Sequence, residues 1–145
     1  MAEGPKKKPR PVPVPTNFTK AFWEGTKQGK LLLQRCRACG THQYYPRPVC
    51  MRCISRDLEW KEASGRGTVY SYTVTHLPPE GFEGREPYVL VSVDLPEGVR
   101  VLGTLLGVAA ADVRIGMPVR ASYERLTDDI TLVQFAAERQ GGTPA

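Results

Sequence analysis

All four cysteines of the 145-residue chain lie between residues 36 and 53, where they form two C-x-x-C pairs. Ten residues separate the first pair, Cys36 and Cys39, from the second, Cys50 and Cys53. Two residues between thiolates allow one tight turn to direct both sulfurs at the same ion. Four such sulfurs complete a closed tetrahedral site of the kind that holds structural zinc. The spacing therefore predicts a metal site formed by Cys36, Cys39, Cys50 and Cys53.

Other uses of these cysteines fit less well. Two disulfides are typical of secreted chains, and the sequence contains no hydrophobic signal segment. A dithiol redox pair leaves the other pair without a role. Iron suits four thiolates as well as zinc does, so zinc is favoured and iron is possible. With every cysteine on the metal, a reducing cytoplasm is the expected location.

The residue after each pair matters for the turn. Gly40 follows the first pair, where a left-handed backbone conformation is expected. Ile54 follows the second pair, and a β-branched residue in that conformation is predicted to strain the turn by about 1–2 kcal/mol.

Three short strands are predicted to position the cysteines. The segment 31–36 leads into the first metal turn, 41–46 returns from it, and 58–63 adds a third strand with Trp60 facing the small core. So short a ribbon depends on its ion more than on hydrophobic burial. His42 lies within the ribbon and is predicted to be a surface or packing residue, because four cysteines already complete the site.

A short helix over residues 18–28 is predicted before the ribbon, with Asn17 as its N-cap and Gly29 ending it. Its aromatic side chains fall on one face, which must be buried for so short a helix to be stable. That face either packs on its own domain or docks on another protein. The candidate docking residues are Phe18, Phe22 and Trp23.

The remaining segments give a domain plan. Residues 1–15 combine a basic cluster with alternating proline and valine and are predicted to form a flexible arm. The helix and ribbon occupy 16–64, a second domain occupies 65–140, and 141–145 form a disordered tail.

The second domain shows five alternating segments, which predict a mainly β chain. A hairpin turn at 96–98 joins the second and third strands, and a short helical turn at 109–112 separates the third from the fourth. Five antiparallel strands in this arrangement outline an OB-type barrel, and its polar loop over 78–86 stands where such barrels often bind ligands. The predicted strands are 68–74, 88–95, 99–106, 119–126 and 130–138.

Charge is distributed unevenly along the chain. The net charge of +5 divides into +3 over residues 1–19, +6 over 20–66 and −4 over 67–145. An acidic barrel opposes a polyphosphate, so nucleic-acid binding, which ribbons and OB barrels both perform, is the alternative function and the less favoured one. No apolar run approaches the length that crosses a bilayer.

Catalysis by this chain alone is not expected. His42 and His76 are the only ordinary bases left once the thiolates are committed to a metal, and neither has a nucleophile nearby in the sequence. Ser71 and Ser92 occupy alternating strand positions, where packing or solvent exposure is the ordinary role. The candidate catalytic set is therefore empty.

Several segments together resemble the DUF35 family. They are FWEGTKQGKLLLQRCRACG, YPRPVCMRC, SGRGTVYSYTV and DVRIGMPVR, and the resemblance covers about residues 16–138. The family is described as an OB-fold protein with a rubredoxin-like zinc ribbon, associated with acyl-CoA metabolism. Ile54 departs from the glycine usual in the family after the fourth cysteine. Some members are fused to a hydratase domain, which this sequence lacks, so a separate subunit is expected.

The resemblance implies a non-catalytic subunit of a heteromeric acyl-CoA-processing complex. Such proteins dock on thiolase-like enzymes, including thiolases and the retro-aldolases of degradation pathways, where they support the partner and help to form its acyl-CoA channel. A heterotetramer is expected by analogy, with acyl-CoA at or near the interface. The family's metal ligands correspond to the four cysteines. Candidate contacts to CoA phosphates, chosen for their charge, are Arg35, Arg37, Arg47, Lys61 and Arg66.

Overall fold

A short helix, α1, spans Lys20–Lys27 and opens the regular structure of the computed structural model, which describes residues 8–138. Thr19, not the predicted Asn17, is its N-cap, because residues 16–19 form their own turn, in which the Thr16 amide donates to Thr19 Oγ1 at 2.7 Å. Gly29 ends the helix with φ of +70°, as predicted. The predicted tail at 141–145 and residues 1–7 of the arm lie outside the described residues.

Two of the three candidate docking aromatics are buried in the chain's own core. Phe22 is 2% exposed and Trp23 is 7% exposed, and both join a core that includes Leu31 and Leu33. This burial corrects the expectation of a docking surface made of all three rings, because Phe22 and Trp23 have almost no surface to offer. Phe18, at 42% exposure, is the one ring of the three that faces outward.

The ribbon is a three-stranded antiparallel sheet in the order β2-β1-β3. Its strands are β1 (Leu32–Cys36), β2 (His42–Gln43) and β3 (Leu58–Glu62). The return strand β2 is much shorter than the predicted 41–46, while β1 and β3 lie within the predicted ranges. Trp60 is partly buried against the core, as predicted.

The second domain is a closed five-stranded barrel in the order β4-β5-β6-β8-β7. All neighbours are antiparallel except β6 and β8, and β4 pairs with β7 to complete the closure. A 3₁₀ turn at Ala110–Asp112 stands where a short helical turn is predicted. The strands are β4 (Arg66–Thr75), β5 (Tyr88–Asp94), β6 (Arg100–Leu106), β7 (Pro118–Arg125) and β8 (Thr131–Ala137).

Side chains that alternate between inward and outward positions along the strands form the barrel core. Val89, Val91 and Val93 of β5 are buried, while the residues between them face outward or are half-buried, as the period of two in a strand requires. Phe135 of β8 fills the centre with 0% exposure. The architecture is therefore mainly β, with a helix, a ribbon and a five-stranded barrel in the predicted order.

The helix joins the two sheets. It contacts β1 of the ribbon and strands β7 and β8 of the barrel. The Phe22 ring lies 5.8 Å from that of Tyr44 and 5.7 Å from that of Tyr45, which follow β2. One hydrophobic cluster thus connects both domains. No helix within residues 8–138 has the length and apolar character needed to span a membrane.

The arm is not free along its whole length. Lys8 Nζ lies 2.7 Å from Glu80 Oε2 in the loop between β4 and β5, and Arg10 Nη1 lies 2.9 Å from Glu124 Oε1 on β7. In the structure, residues 8–10 of the predicted arm therefore rest on the barrel.

Candidate metal centre

The four cysteine sulfurs converge in one place. All four Sγ atoms lie within 4.8 Å of one another, with Cys36 and Cys53 at 3.5 Å and Cys39 and Cys50 at 3.6 Å. A tetrahedral zinc with Zn–S bonds of about 2.3 Å places its sulfurs about 3.8 Å apart. Disulfides are excluded in this structure, because a disulfide requires about 2.05 Å between sulfurs.

The two metal turns repeat one hydrogen-bond pattern. In the first, Gly40 N donates to Cys36 O at 2.8 Å, and Cys36 N donates to Thr41 O at 2.9 Å. The second turn has the same two bonds: Ile54 N donates to Cys50 O at 3.0 Å, and Cys50 N donates to Ser55 O at 2.8 Å. The repetition gives both C-x-x-C segments the same shape, so that each directs two sulfurs at a common point.

Ile54 adopts the left-handed conformation predicted for it. Its φ is +63°, against +75° for Gly40 at the equivalent position, and it is the only residue other than glycine with positive φ among residues 8–138. A left-handed L-residue is disfavoured by about 1–2 kcal/mol. Since the Ile54 side chain is 68% exposed, internal packing does little to offset this strain.

The protonation and the close spacing of the four sulfurs favour binding of a cation. A hydrogen bond to Thr41 lowers the pKa of Cys39 to about 6. The Ser55 amide also lowers the pKa of Cys53, but the adjacent sulfurs, Cys36 foremost, outweigh it and raise that pKa to about 12. Four sulfurs so close together cannot all be thiolates without a positive ion between them. The donor set therefore suits a divalent metal such as zinc, which would stabilise the ribbon and, with four protein ligands, would keep no position for substrate.

Two buried glutamines hold the second metal turn against the ribbon. Gln34 and Gln43 are opposite each other on β1 and β2, and Gln43 Nε2 donates to Gln34 Oε1 at 2.7 Å. Gln34 Oε1 also accepts from Arg47 N at 2.8 Å, and Gln43 Oε1 accepts from Met51 N at 2.9 Å. These bonds fix the chain that leads to Cys50. Their sequence pattern does not reveal this role, although the register of the hairpin places both glutamines opposite each other.

His42 is not part of the cluster of ligands. It stands opposite Arg35 in the ladder between β1 and β2 and is half-buried, consistent with the prediction of a surface or packing residue. Among the described residues, the four cysteines form the group of side chains that could hold a metal ion.

Four of the five candidate CoA-phosphate residues form ion pairs within the chain. Arg35 and Arg37 bond the two oxygens of Glu59 at 2.9 and 3.2 Å, and Lys61 lies 3.9 Å from the same carboxylate. These cations lower the pKa of Glu59, with the hydrogen bond from Arg35 contributing most. Arg66 pairs with Glu138 at 3.3 Å. Arg47 is exposed, and its guanidinium has no ion-pair partner within residues 8–138.

Comparison with known proteins identifies both domains. Residues 23–59 match the model for the rubredoxin-like zinc ribbon domain of ChsH2, and residues 60–124 match the model for its C-terminal OB-fold domain. The boundary between the two matches lies within β3. The expected ribbon and OB fold are confirmed.

Relatives share most of the chain. A probable enoyl-CoA hydratase alpha subunit of Thermomonospora curvata is 43% identical over 130 residues, which are 88% of this chain and 39% of that protein. The chain thus spans about two fifths of that relative's length. A DUF35 domain-containing scaffold protein of Methanocaldococcus jannaschii is 38% identical over 110 residues, 74% of this chain and 77% of the relative.

A solved structure shows the same fold in a named assembly. It is described as the Ltp2-ChsH2(DUF35) aldolase, and the matched chain is 38% identical, with a TM-score of 0.79 over 87% of this chain and 98% of its own length. The order of ribbon and barrel, the four-sulfur cluster and these matches agree. The chain belongs to the DUF35 family.

Proposed function

We propose that this chain is a non-catalytic subunit of a heteromeric acyl-CoA-processing complex. It docks on a thiolase-like enzyme, either a thiolase or a retro-aldolase, supports that enzyme and helps to form its acyl-CoA channel. The observation that carries the proposal is the match to nearly the full length of a DUF35 chain in an aldolase assembly. The scaffold name of one relative and the hydratase-subunit name of another agree with a supporting role.

The metal centre supports the same conclusion. Four sulfurs around one point make a closed site, so a metal held there activates no water and polarises no carbonyl. The remaining role of the ion is to hold the ribbon against α1 and the barrel, so that their outer surfaces keep a fixed shape. A reducing compartment such as the cytoplasm suits this chemistry, because the four thiols stay available for metal.

Nucleic-acid binding is less well supported. Binding of a single strand requires exposed aromatic side chains on which bases stack, with unpaired cations nearby to contact the phosphates. Tyr70 is exposed on β4, but the guanidinium of Arg100 lies 3.3 Å from its ring centre and is itself bonded to Asp94 at 2.6 Å. On the ribbon, Arg35 and Arg37 are held by Glu59. Much of the positive charge counted from the sequence is thus neutralised within the chain.

Co-expression with a thiolase-like protein from the same organism tests the proposal. We expect a stable complex on size-exclusion chromatography with light scattering, together with acyl-CoA turnover that needs the partner and that the purified chain alone does not show. A Cys50→Ser variant should lose assembly because the ribbon cannot hold its ion. Thioester turnover by the chain alone, or a fully active complex formed by metal-free Cys50→Ser protein, would overturn the proposal.

Arg47 is the first choice for a contact to CoA phosphates within such a complex. Of the five candidates it is the one whose charge has no partner within residues 8–138, whereas Arg35 and Arg37 already bond Glu59. Replacing Arg47 by Ala should raise the KM of the complex for acyl-CoA severalfold without changing assembly. An Arg56→Ala variant, which changes an exposed arginine on the same ribbon, is the control. An unchanged KM for Arg47→Ala would remove Arg47 from the site.

A further inference from the structure

A cavity of about 690 Å³ lies between the loop joining β4 to β5 and strands β5, β6 and β7. Its walls are mainly apolar and include Phe82, Leu90, Leu105, Leu106 and Val108. Leu90 and Leu106 are 41% and 39% exposed, so they face open space and not the packed barrel interior. The volume falls within the range of about 300–1,000 Å³ common for small-molecule sites.

The charged side chains that line the cavity balance one another. Arg10 and Arg85 each place a guanidinium nitrogen 2.9 Å from Glu124 Oε1, and Gln134 Nε2 donates to Glu124 Oε2 at 3.1 Å. Glu83 is the fourth charged residue of the lining. The lining thus holds two cations and two anions. An ionised ligand would lose its hydration here without gaining a net counter-charge, while an uncharged apolar group would leave water at no such cost.

The arm lies against the loop that forms one wall of the cavity. The Arg10 guanidinium lies 5.4 Å above the centre of the Phe82 ring, and the Lys8 side chain pairs with Glu80 of the same loop. At Gly81, with φ of +90°, a Cβ atom would lie 3.0 Å from the carbonyl oxygen of Pro9. The loop therefore lacks a side chain at the point where the arm backbone rests on it, and the two segments fit each other.

We propose that this cavity binds the uncharged apolar part of a small molecule, a hydrocarbon chain or ring, and that residues 8–10 close over it. Binding of an apolar ligand is favourable because it removes from water both the ligand surface and the exposed parts of Leu90 and Leu106. The arm's ionic contacts hold it in place, and they can separate and re-form as a ligand enters or leaves. This inference goes beyond the proposed function and does not depend on it, since residues 8–138 supply every wall.

Binding of 1-decanol to the metal-loaded full chain tests the site. By NMR we expect saturable binding, with contacts from the decanol methylene protons to the methyl groups of Leu105, Leu106 and Val108. A Leu106→Arg variant should weaken binding at least tenfold, because it places a charge in the apolar wall. Leu102→Arg is the matched control, because Leu102 lies on the same strand, is 72% exposed and does not line the cavity. The affinity of this variant for decanol should equal that of the wild type.

Closure by the arm has a separate readout. An Arg10→Ala variant should speed both association and dissociation of decanol at least threefold, measured by NMR exchange broadening, because the mouth then stays open. Decanol contacts confined to the outer surface around Leu102, or equal affinity in Leu106→Arg, would overturn the site. Unchanged rates in Arg10→Ala would overturn the closure. Neither result bears on docking to a thiolase-like enzyme, so the two proposals fail independently.

Discussion

At the scale of single residues, the two metal turns differ most at one position. Gly40 and Ile54 occupy equivalent places in two turns with the same hydrogen bonds, and both have positive φ. Glycine adopts this conformation freely, and isoleucine does not. The second metal turn therefore carries local strain that the first avoids.

Replacing Ile54 by Gly should increase the free energy of unfolding by about 1 kcal/mol, the relief of left-handed strain less the added freedom of glycine in the unfolded chain. Urea unfolding of the zinc-loaded protein measures the change. Ile115→Gly is the control, because Ile115 is 72% exposed and has no positive φ. It should lower stability slightly, and an equal effect in both variants would contradict the role given to strain.

Glu124 predicts a pH effect. Burial alone would raise its pKa, but hydrogen bonds from Arg85, Arg10 and Gln134 outweigh burial and hold the pKa at about 2. A carboxyl group whose folded pKa is depressed stabilises the protein above its unfolded pKa, near 4.3, and loses this contribution as the pH falls toward 2. The stability difference between wild type and Glu124→Gln should therefore shrink between about pH 4.5 and 2. Metal loss in acid affects both proteins, so the difference isolates Glu124. A difference that is constant with pH would argue against these contacts.

Sequence alone was enough to predict that the four sulfurs come together and that Ile54 is left-handed, because both follow from spacing along one short segment. It was not enough for Gln34 and Gln43. A glutamine on a strand is ordinarily exposed, and burial becomes favourable here only because loop amides reach both side chains. The ion pairs could not be predicted from the sequence either. A count of charges shows that the ribbon is basic, but it does not show that three of its cations lie within 3.9 Å of the Glu59 carboxylate.

At the scale of elements, α1 connects the ribbon to the barrel. It contacts β1 on one side and β7 and β8 on the other, and Phe22 is its most buried ring. The aromatic pattern predicted a face that must be covered, but it left open whether the cover was this chain or another. Tertiary packing decides the question, with Phe22 and Trp23 inside and Phe18 outside. The start of the helix was misplaced because the turn of residues 16–19 competes with Asn17 as a cap.

Phe22→Ala should lower the free energy of unfolding by about 3–5 kcal/mol, since it removes a buried ring from the core shared by both domains. Phe18→Ala, four residues earlier in the turn that precedes α1 and 42% exposed, is the control of identical chemistry and should change stability by less than about 1 kcal/mol. Chemical denaturation measures both. If Phe18 belongs to a docking surface, Phe18→Ala will instead weaken partner binding. Similar losses of stability in both variants would contradict the placement of the helix.

At the scale of the whole molecule, the barrel has its own core and the ribbon has little. Val91, Val93, Val101 and Phe135 are fully buried within the barrel. The ribbon relies on its metal turns and on Leu31 and Leu33, which belong to the cluster shared with the barrel. The order of the two domains was predictable from the sequence. The contacts of the arm were not, because they join residues 72 and 114 positions apart.

Chelation of the metal should therefore melt the ribbon before the barrel. In hydrogen exchange, amides of β1 and β3 should lose protection when zinc is removed, while those of β5 and β6 keep most of theirs, because metal binding supplies much of the ribbon's folding free energy. Adding zinc back should restore β1 and β3. Loss of protection at the same rate in all four strands would show that the domains unfold as one unit.

Closure of the barrel also governs how this chain meets copies of itself. Among residues 8–138, every barrel strand has a neighbour on both sides over at least part of its length, whereas β2 and β3 of the ribbon each have one edge with no neighbouring strand. β2 is two residues long, and β3 carries Glu59, Lys61 and Glu62. Short or charged edges discourage a second molecule from adding its own strand. Concentrated solutions of the zinc-loaded protein should accordingly resist fibril formation, and any ordered stacking that does arise should begin along β3.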